Sequence, residues 1–489
     1  GTSVDAWRLG KPLLEEAIRL LPGDPRAPLA LGEQARAHRE FDTALRGFRE
    51  TIRLDPRQTS PYTSFFTLCS RAGRWDVARE ALEGWTKAHP EVVQAHVTLG
   101  EVHLRRARFY AARQAYERAL ELDPEEPSAH VGLGFVALEE ERSSVALEHA
   151  ERAAKRASLQ VRERLLAMRG VALTRQGKHM EALADLEVGL RCEPLPRGVA
   201  EAYLCGLFWK RGDRKSLEAL ERGVFGGLNP GRDKMLWADY FWRRGEHGKA
   251  FDALLRGRRL DPDEPDLCVM AARFSLSWGR PHNPRRALDW VRAGVGVWPD
   301  DENARFMVQA AVAHARLFQY DKSSRLLELA KQEHPTRQSV YKNEADLGNR
   351  MEDYPRAIAA GLRALELEPT DPYTMALLAD AYMGQSKPAE ALKWLERSYE
   401  RIPSNGAIVV SRGLARFDTG DFEGARADLE LARKDPGARD RHEFKLLEAH
   451  LLAREGKLEG EVRERLRDIA SQKRFRWAQP RAAALLQGE

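Results

Sequence analysis

Cysteine is scarce in this chain, with four in 489 residues. Cys69, Cys192, Cys205 and Cys268 form no C-x-x-C pair, which removes a disulfide-dense scaffold and the usual zinc and haem spacings. Cys69 and Cys268 fall on apolar helix faces, where a thiol behaves as a small hydrophobe. Unpaired thiols favour a reducing compartment such as the cytoplasm; the periplasm stays open, because a leading signal can be removed. No run of about eighteen uncharged apolar residues occurs, so no segment reads as a membrane-crossing helix. The sequence contains no G-x-x-x-x-G-K-[ST], no G-x-G-x-x-G after a strand, no H-E-x-x-H and no G-x-S-x-G. The expectation is no catalytic residue, no metal and no cofactor. An excess of one charge is also missing: 79 Lys and Arg against 74 Asp and Glu leave a net +5, which argues against a nucleic-acid partner. Alternating strand patterns are nearly absent.

What is present is a period. Pro22, Pro56, Pro90 and Pro124 are each 34 residues apart, Ser158 takes the next place, and Pro194, Pro262, Pro299, Pro335, Pro369, Pro403 and Pro436 continue the series. Twelve residues before these positions stands an alanine: Ala44, Ala78, Ala112, Ala146, Ala182, Ala250, Ala287, Ala357 and Ala391. Four residues after the alanine comes a large apolar group, as in Phe48, Leu82, Tyr116, Leu186, Leu254, Val291 and Leu395. Small residues precede the proline by about 24: Gly32, Gly100, Gly134, Gly170, Ala238, Ala311, Ala345 and Ala379. Apolar residues at three and four spacing give each helix one buried stripe, and the small residues let two backbones approach. Gly73, Gly177, Gly212, Gly245, Gly420 and Gly456 fall where a first helix ends and the chain reverses. Asp-Pro pairs such as Asp123-Pro124 end the second helix, since proline disfavours helical geometry in the residue before it.

The pattern resembles the tetratricopeptide repeat, a helix–turn–helix unit of this length with a small-residue, alanine, aromatic and proline signature. The resemblance implies an all-α, right-handed superhelical solenoid of about thirteen hairpins, starting near residues 25, 59, 93, 127, 163, 198, 231, 265, 304, 338, 372, 406 and 442. Residues 1–24 read as the leading helix of a partial repeat, 25–230 as an N-terminal array, 231–441 as a C-terminal array, and 442–489 as a last hairpin with a capping helix. A start at Gly1 in mid-repeat suggests a trimmed or processed product. The repeat register breaks near Ser158 and over Gly223–Pro230, where weaker interfaces between neighbours are expected. The glycine-rich stretch there has neither a preceding strand nor a Lys-Ser/Thr and reads as a loop. His179 and His247 follow turn glycines at equivalent places, which points to a shared packing role.

A solenoid offers a concave surface lined by the first helix of each hairpin. Two inward clusters stand out. Trp209, Met235, Asp239 and Trp242 would form a rigid apolar platform of the kind that anchors partners; core packing is the competing reading. Lys342, Asp346, Asn349 and Arg350, followed by Tyr373 and Asp380, mix donors and acceptors over two hairpins. They suffice to fix an extended peptide by its backbone and one acidic side chain, with a solvated polar face as the alternative. The basic and aromatic segment Lys473, Arg474, Arg476 and Trp477, with Arg481, is a third candidate: contact with an anionic surface, or a cap on the last repeat.

The function these features imply is a non-catalytic scaffold that binds a protein or extended peptide in its groove. The alternatives are the repeat portion of a bacterial cell-envelope or exopolysaccharide-export assembly, and the substrate-recruiting arm of an enzyme whose catalytic domain lies elsewhere.

Overall fold

The computed structural model describes residues 3–72, 74–106, 108–192, 195–196, 198–211, 213–223, 230–262, 264–277, 283–295, 304–403, 405–439, 441–458, 460–471 and 478–487. These residues form helices and no strand. They divide into two compact units, the first ending at Asp261 and the second beginning at Pro262.

The first unit opens with α1 (Ser3–Leu20). Hairpins follow as α2–α3 (Arg26–Ala37, Phe41–Leu54), α4–α5 (Ser60–Arg71, Trp75–Ala88) and α6–α7 (Val93–Arg105, Phe109–Leu122). Next come α8–α9 (Pro127–Glu139, Ser143–Ala154) and α10–α11 (Leu159–Arg175, His179–Gly189). The unit closes with α12–α13 (Val199–Arg211, Asp213–Glu221) and α14–α15 (Pro230–Arg243, His247–Leu260).

The second unit comprises α16–α17 (Pro265–Leu276, Pro284–Val295), α18–α19 (Ala304–Arg316, Tyr320–Glu333) and α20–α21 (Gln338–Met351, Tyr354–Leu367). It continues with α22–α23 (Pro372–Gly384, Pro388–Arg401) and α24–α25 (Gly406–Asp418, Phe422–Ala432). The short α26 (Pro436–Arg439), the hairpin α27–α28 (His442–Arg454, Gly460–Ser471) and α29 (Ala478–Gln487) end it. Each unit is an all-α repeat solenoid.

The repeat signature has a direct packing cause. The nine periodic alanines are fully buried. The large residue four positions later lies on the small residue of the paired first helix. A Cβ added to Gly32 would stand 2.8 Å from the Phe48 ring, one on Gly100 2.7 Å from Tyr116, and one on Gly170 2.6 Å from Leu186. Any larger side chain would force the helices apart.

A second periodic device joins successive hairpins. The proline carbonyl at the end of one hairpin accepts a hydrogen bond from the residue six positions on, in the next first helix. Tyr62 Oη donates to Pro56 at 2.9 Å and Tyr341 Oη to Pro335 at 3.0 Å. His96 and His130 use Nε2 on Pro90 and Pro124, both at 3.0 Å. A carbonyl left over at a helix end is thereby satisfied. At the missing proline, Ser158 has extended backbone (φ −66°, ψ 168°) and caps α10, its hydroxyl accepting from the Val161 amide.

First helices of neighbouring hairpins pack on one another (α6 on α8, α8 on α10, α18 on α20, α20 on α22). Second helices instead sit between the first helices on either side. The first helices therefore occupy the shorter arc, and within each unit their free faces form the inner surface.

Candidate functional site

The inner surface of the first unit is dominated by Glu101 of α6. It accepts from Arg105 at 2.9 Å, from Tyr116 Oη at 3.2 Å, and from Arg164 of α10, two hairpins further on. Burial alone would raise the Glu101 carboxyl, but Arg164 and Arg105 overcome it and hold it at about 2. The Tyr116 hydroxyl is pushed well above its ordinary range by burial and then by Glu101. This carboxylate is fully employed within the chain.

Three of the four residues of the expected tryptophan platform can be placed. Met235 is buried in the core. The close approach of neighbouring first helices covers the position three before the small residue, as it covers Val97 and Val131. Trp242 is half-buried, its ring 4.3 Å from His247 and edge-on to Phe251 at 6.2 Å, so it packs within its own hairpin. Asp239 pairs with Arg243 at 2.7 Å, and Arg243 also donates to Cys205 Sγ. The Trp209 side chain lies outside the described residues. His179 stands 3.7 Å from Cys205 Sγ, so it and His247 both serve packing. All four cysteines are buried and none is in a disulfide.

The second cluster lies on consecutive first helices, as its spacing requires. Asp346 and Arg350 on α20 form an ion pair at 2.7 Å. Asn349 donates to the Leu377 carbonyl of α22 at 2.9 Å, and Lys342 approaches Asp371 at 3.6 Å. Arg316, at the end of α18, joins the cluster. Burial and then the like charge of Arg350 bring its guanidinium down to about 10. Tyr373 opens α22 and is 56% exposed.

Here the structure changes the chemistry expected of the row. Lys342, Asn349 and Arg350, expected to receive a partner's acidic side chain, already have partners inside the chain. Asp380 does not: it makes no hydrogen bond or ion pair among the described residues. Burial, and the nearby carboxylates Glu443 and Asp346, outweigh the pull of Arg441 and push its carboxyl up to about 7.

The register explains the difference. Asp380 follows Ala379 as Glu101 follows Gly100, so the two acids occupy the same repeat position. Arg164 lies 63 residues beyond Glu101. The residue at the same separation from Asp380 is Glu443, which is itself held by Arg441 at 3.2 Å and approached by His442 at 3.4 Å. An acid–arginine pair in the first unit is matched by an acid–acid pair in the second.

Sequence reasoning singled out Asp380 but missed this contrast, because the partner stands two hairpins away. Its only signal was the matched separation. Of the C-terminal candidates, Lys473, Arg474, Arg476 and Trp477 lie outside the described residues. Arg481 pairs with Asp418 and so ties α29 to α24. Among the described residues, no three His, Cys, Asp or Glu side chains are placed to hold a metal ion, and no helix is long and apolar enough to cross a membrane.

A family model described as tetratricopeptide repeat matches residues 70–127, 342–406 and 376–439. No curated protein matches the chain. Among solved structures, the chain is similar to the APC/C hetero-tetramer Cut9–Hcn1, at 13% identity and TM-score 0.46 over 93% of this chain and 94% of that one. It is similar to yeast Tom70 at 13% identity and TM-score 0.43, covering 91% and 99%. It is also similar to PilF of Pseudomonas aeruginosa at 15% identity and TM-score 0.36, covering 44% and 96%.

Proposed function

This chain is a tetratricopeptide-repeat protein, and from that premise we propose that it is a non-catalytic scaffold whose second unit receives an extended segment of a partner protein on its inner face. The observation that carries this reading is Asp380, a desolvated carboxyl without a partner at the position where Glu101 holds an arginine. The row from Lys342 to Asp380 lies within the matched repeats at 342–439.

The partner chemistry follows from the charge. With Glu443 in place of an arginine, Asp380 has no cation bonded to it as Arg164 is to Glu101, and nearby Arg441 is held by Glu443. A lysine or arginine of the partner fills that place, while exposed Tyr373 contributes contact area at the edge. A charge-assisted hydrogen bond of this kind is worth about 1.5–3 kcal/mol. Since the Asp380 carboxyl ionises near 7, the attraction strengthens from about pH 6 to about pH 8.

A displayed library of random peptides panned against the full chain tests the reading. Peptides selected at about pH 8 are expected to carry a Lys or Arg at one position. Asp380→Asn is expected to weaken them roughly tenfold or more and to abolish the pH dependence. Peptides that bind Asp380→Asn equally well, or selection without basic residues, would contradict it.

A further inference from the structure

The first unit carries a different feature on its inner surface. The link from α11 to α12 runs over nine residues, 190–198, whereas the four preceding links between hairpins have four or five. Two of its described residues are turned inward. Leu195 and Pro196 are buried, and the Leu195 carbonyl accepts a hydrogen bond from Arg105 Nη1 at 2.9 Å, across 90 residues of sequence. Pro196 lies with Leu104, Phe135, Glu139, Arg164 and Arg105, side chains of α6, α8 and α10. The chain leaves through Gly198, whose φ of +80° is a turn only glycine makes freely; a Cβ there would touch Val171 of α10.

Leu195 is buried, Pro196 shares a small cavity with Leu104 and Phe135 and with the charged Glu101, Arg105, Glu139 and Arg164, and a fixed arginine reads a main-chain carbonyl. Proline has no N–H to leave unsatisfied against Leu104 and Phe135. Arg105 is itself held by buried Glu101, so its donor is oriented before anything binds. The link joins two complete helices, so lifting Leu195 and Pro196 from the surface leaves α11 and α12 their own packing.

We propose that the inner face formed by α6, α8 and α10 is a recognition site for an extended apolar-proline segment, and that Leu195–Pro196 occupies it in cis. A partner segment of the same chemistry reaches the site by displacing the link. The inference concerns the first unit and stands or falls separately from Asp380.

The probe is a fluorescein-labelled peptide with the sequence of residues 190–199, carrying serine in place of Cys192, and the readout is anisotropy. The protein is the full chain, as wild type and with Leu195→Gly plus Pro196→Ser to vacate the site. The vacated protein is expected to bind the peptide at least about tenfold more tightly than wild type. A control peptide with serine at both Leu195 and Pro196 is expected to lose that gain. Equal binding by both proteins, or equal binding of the control peptide, would overturn the proposal. If the double variant does not fold, Leu195→Ala in the same assay decides: tighter binding than wild type supports the cis-occupied site, and unchanged binding overturns it.

Discussion

Histidines at the hairpin junctions carry a consequence that a packing description alone does not show. His130 gives its Nε2 hydrogen to the Pro124 carbonyl, which leaves Nδ1 as an acceptor 3.1 Å from His149 Nδ1. His149 must then be the donor, and both rings are neutral. Burial, then the repulsion it would meet from a protonated His130, then Arg152, Arg113 and Arg142, lower the His149 value from 6.5 to about 4. His130 is also lowered, by burial first and by Arg152, against Pro124, Glu126 and Asp123. Between about 4 and 6.5 the unfolded chain therefore binds more protons than the folded one, so stability falls as pH drops through that window and is complete above it. Thermal unfolding near pH 7 and near pH 5 is expected to show this loss, with a shallower slope for His149→Phe. An identical slope in the variant would remove the pair as its cause. Their contact joins residues 19 apart and became visible only with the hairpin closed. Asp380 illustrates the same limit over a longer span. Its position was legible from the small-residue register, whereas its lack of a bonded cation depended on Glu443, two hairpins away.

At the scale of the helix, hairpin starts were legible to within four residues. Alanine, small residue and proline each answer to a packing or backbone constraint that repeats. The largest offset is at α10, which begins at Leu159 because Ser158 caps it. What glycine counting did not show is how often the reversal manages without glycine. Gly177, Gly245, Gly420 and Gly456 take left-handed φ at the end of their first helices, and so do Arg39, Glu141, Phe318, Glu352 and Ser386. A side chain in that region costs about 1 kcal/mol. Ser386→Gly is therefore expected to stabilise the second unit by roughly 0.5–1 kcal/mol in denaturant unfolding, less the entropy glycine adds to the unfolded chain. A destabilised variant would mean that the turn is held by contacts of the serine itself. The inward link at Leu195–Pro196 was illegible for another reason: the hairpin starts expected near 163 and 198 keep the repeat spacing, so nothing in the register signalled a longer link.

For the molecule as a whole, the repeat architecture gives each unit an inner surface of first helices, and the two surfaces differ in how their charges are spent. The first satisfies its buried acid with Arg105 and Arg164 and covers part of its face with its own link. The second leaves one acid unanswered beside an exposed tyrosine. The central claim is that a partner protein lies against this second surface. Site-specific photocrosslinking tests it most directly. A benzoylphenylalanine is placed at Tyr373, at the edge of the inner face, and in a separate protein at Leu329, exposed on second helix α19. Each is irradiated in lysate of the source organism. The account expects a discrete adduct from the Tyr373 position that is lost on adding Asp380→Asn, and none of the same mass from Leu329. No adduct at Tyr373, or the same adducts from both positions, would contradict it.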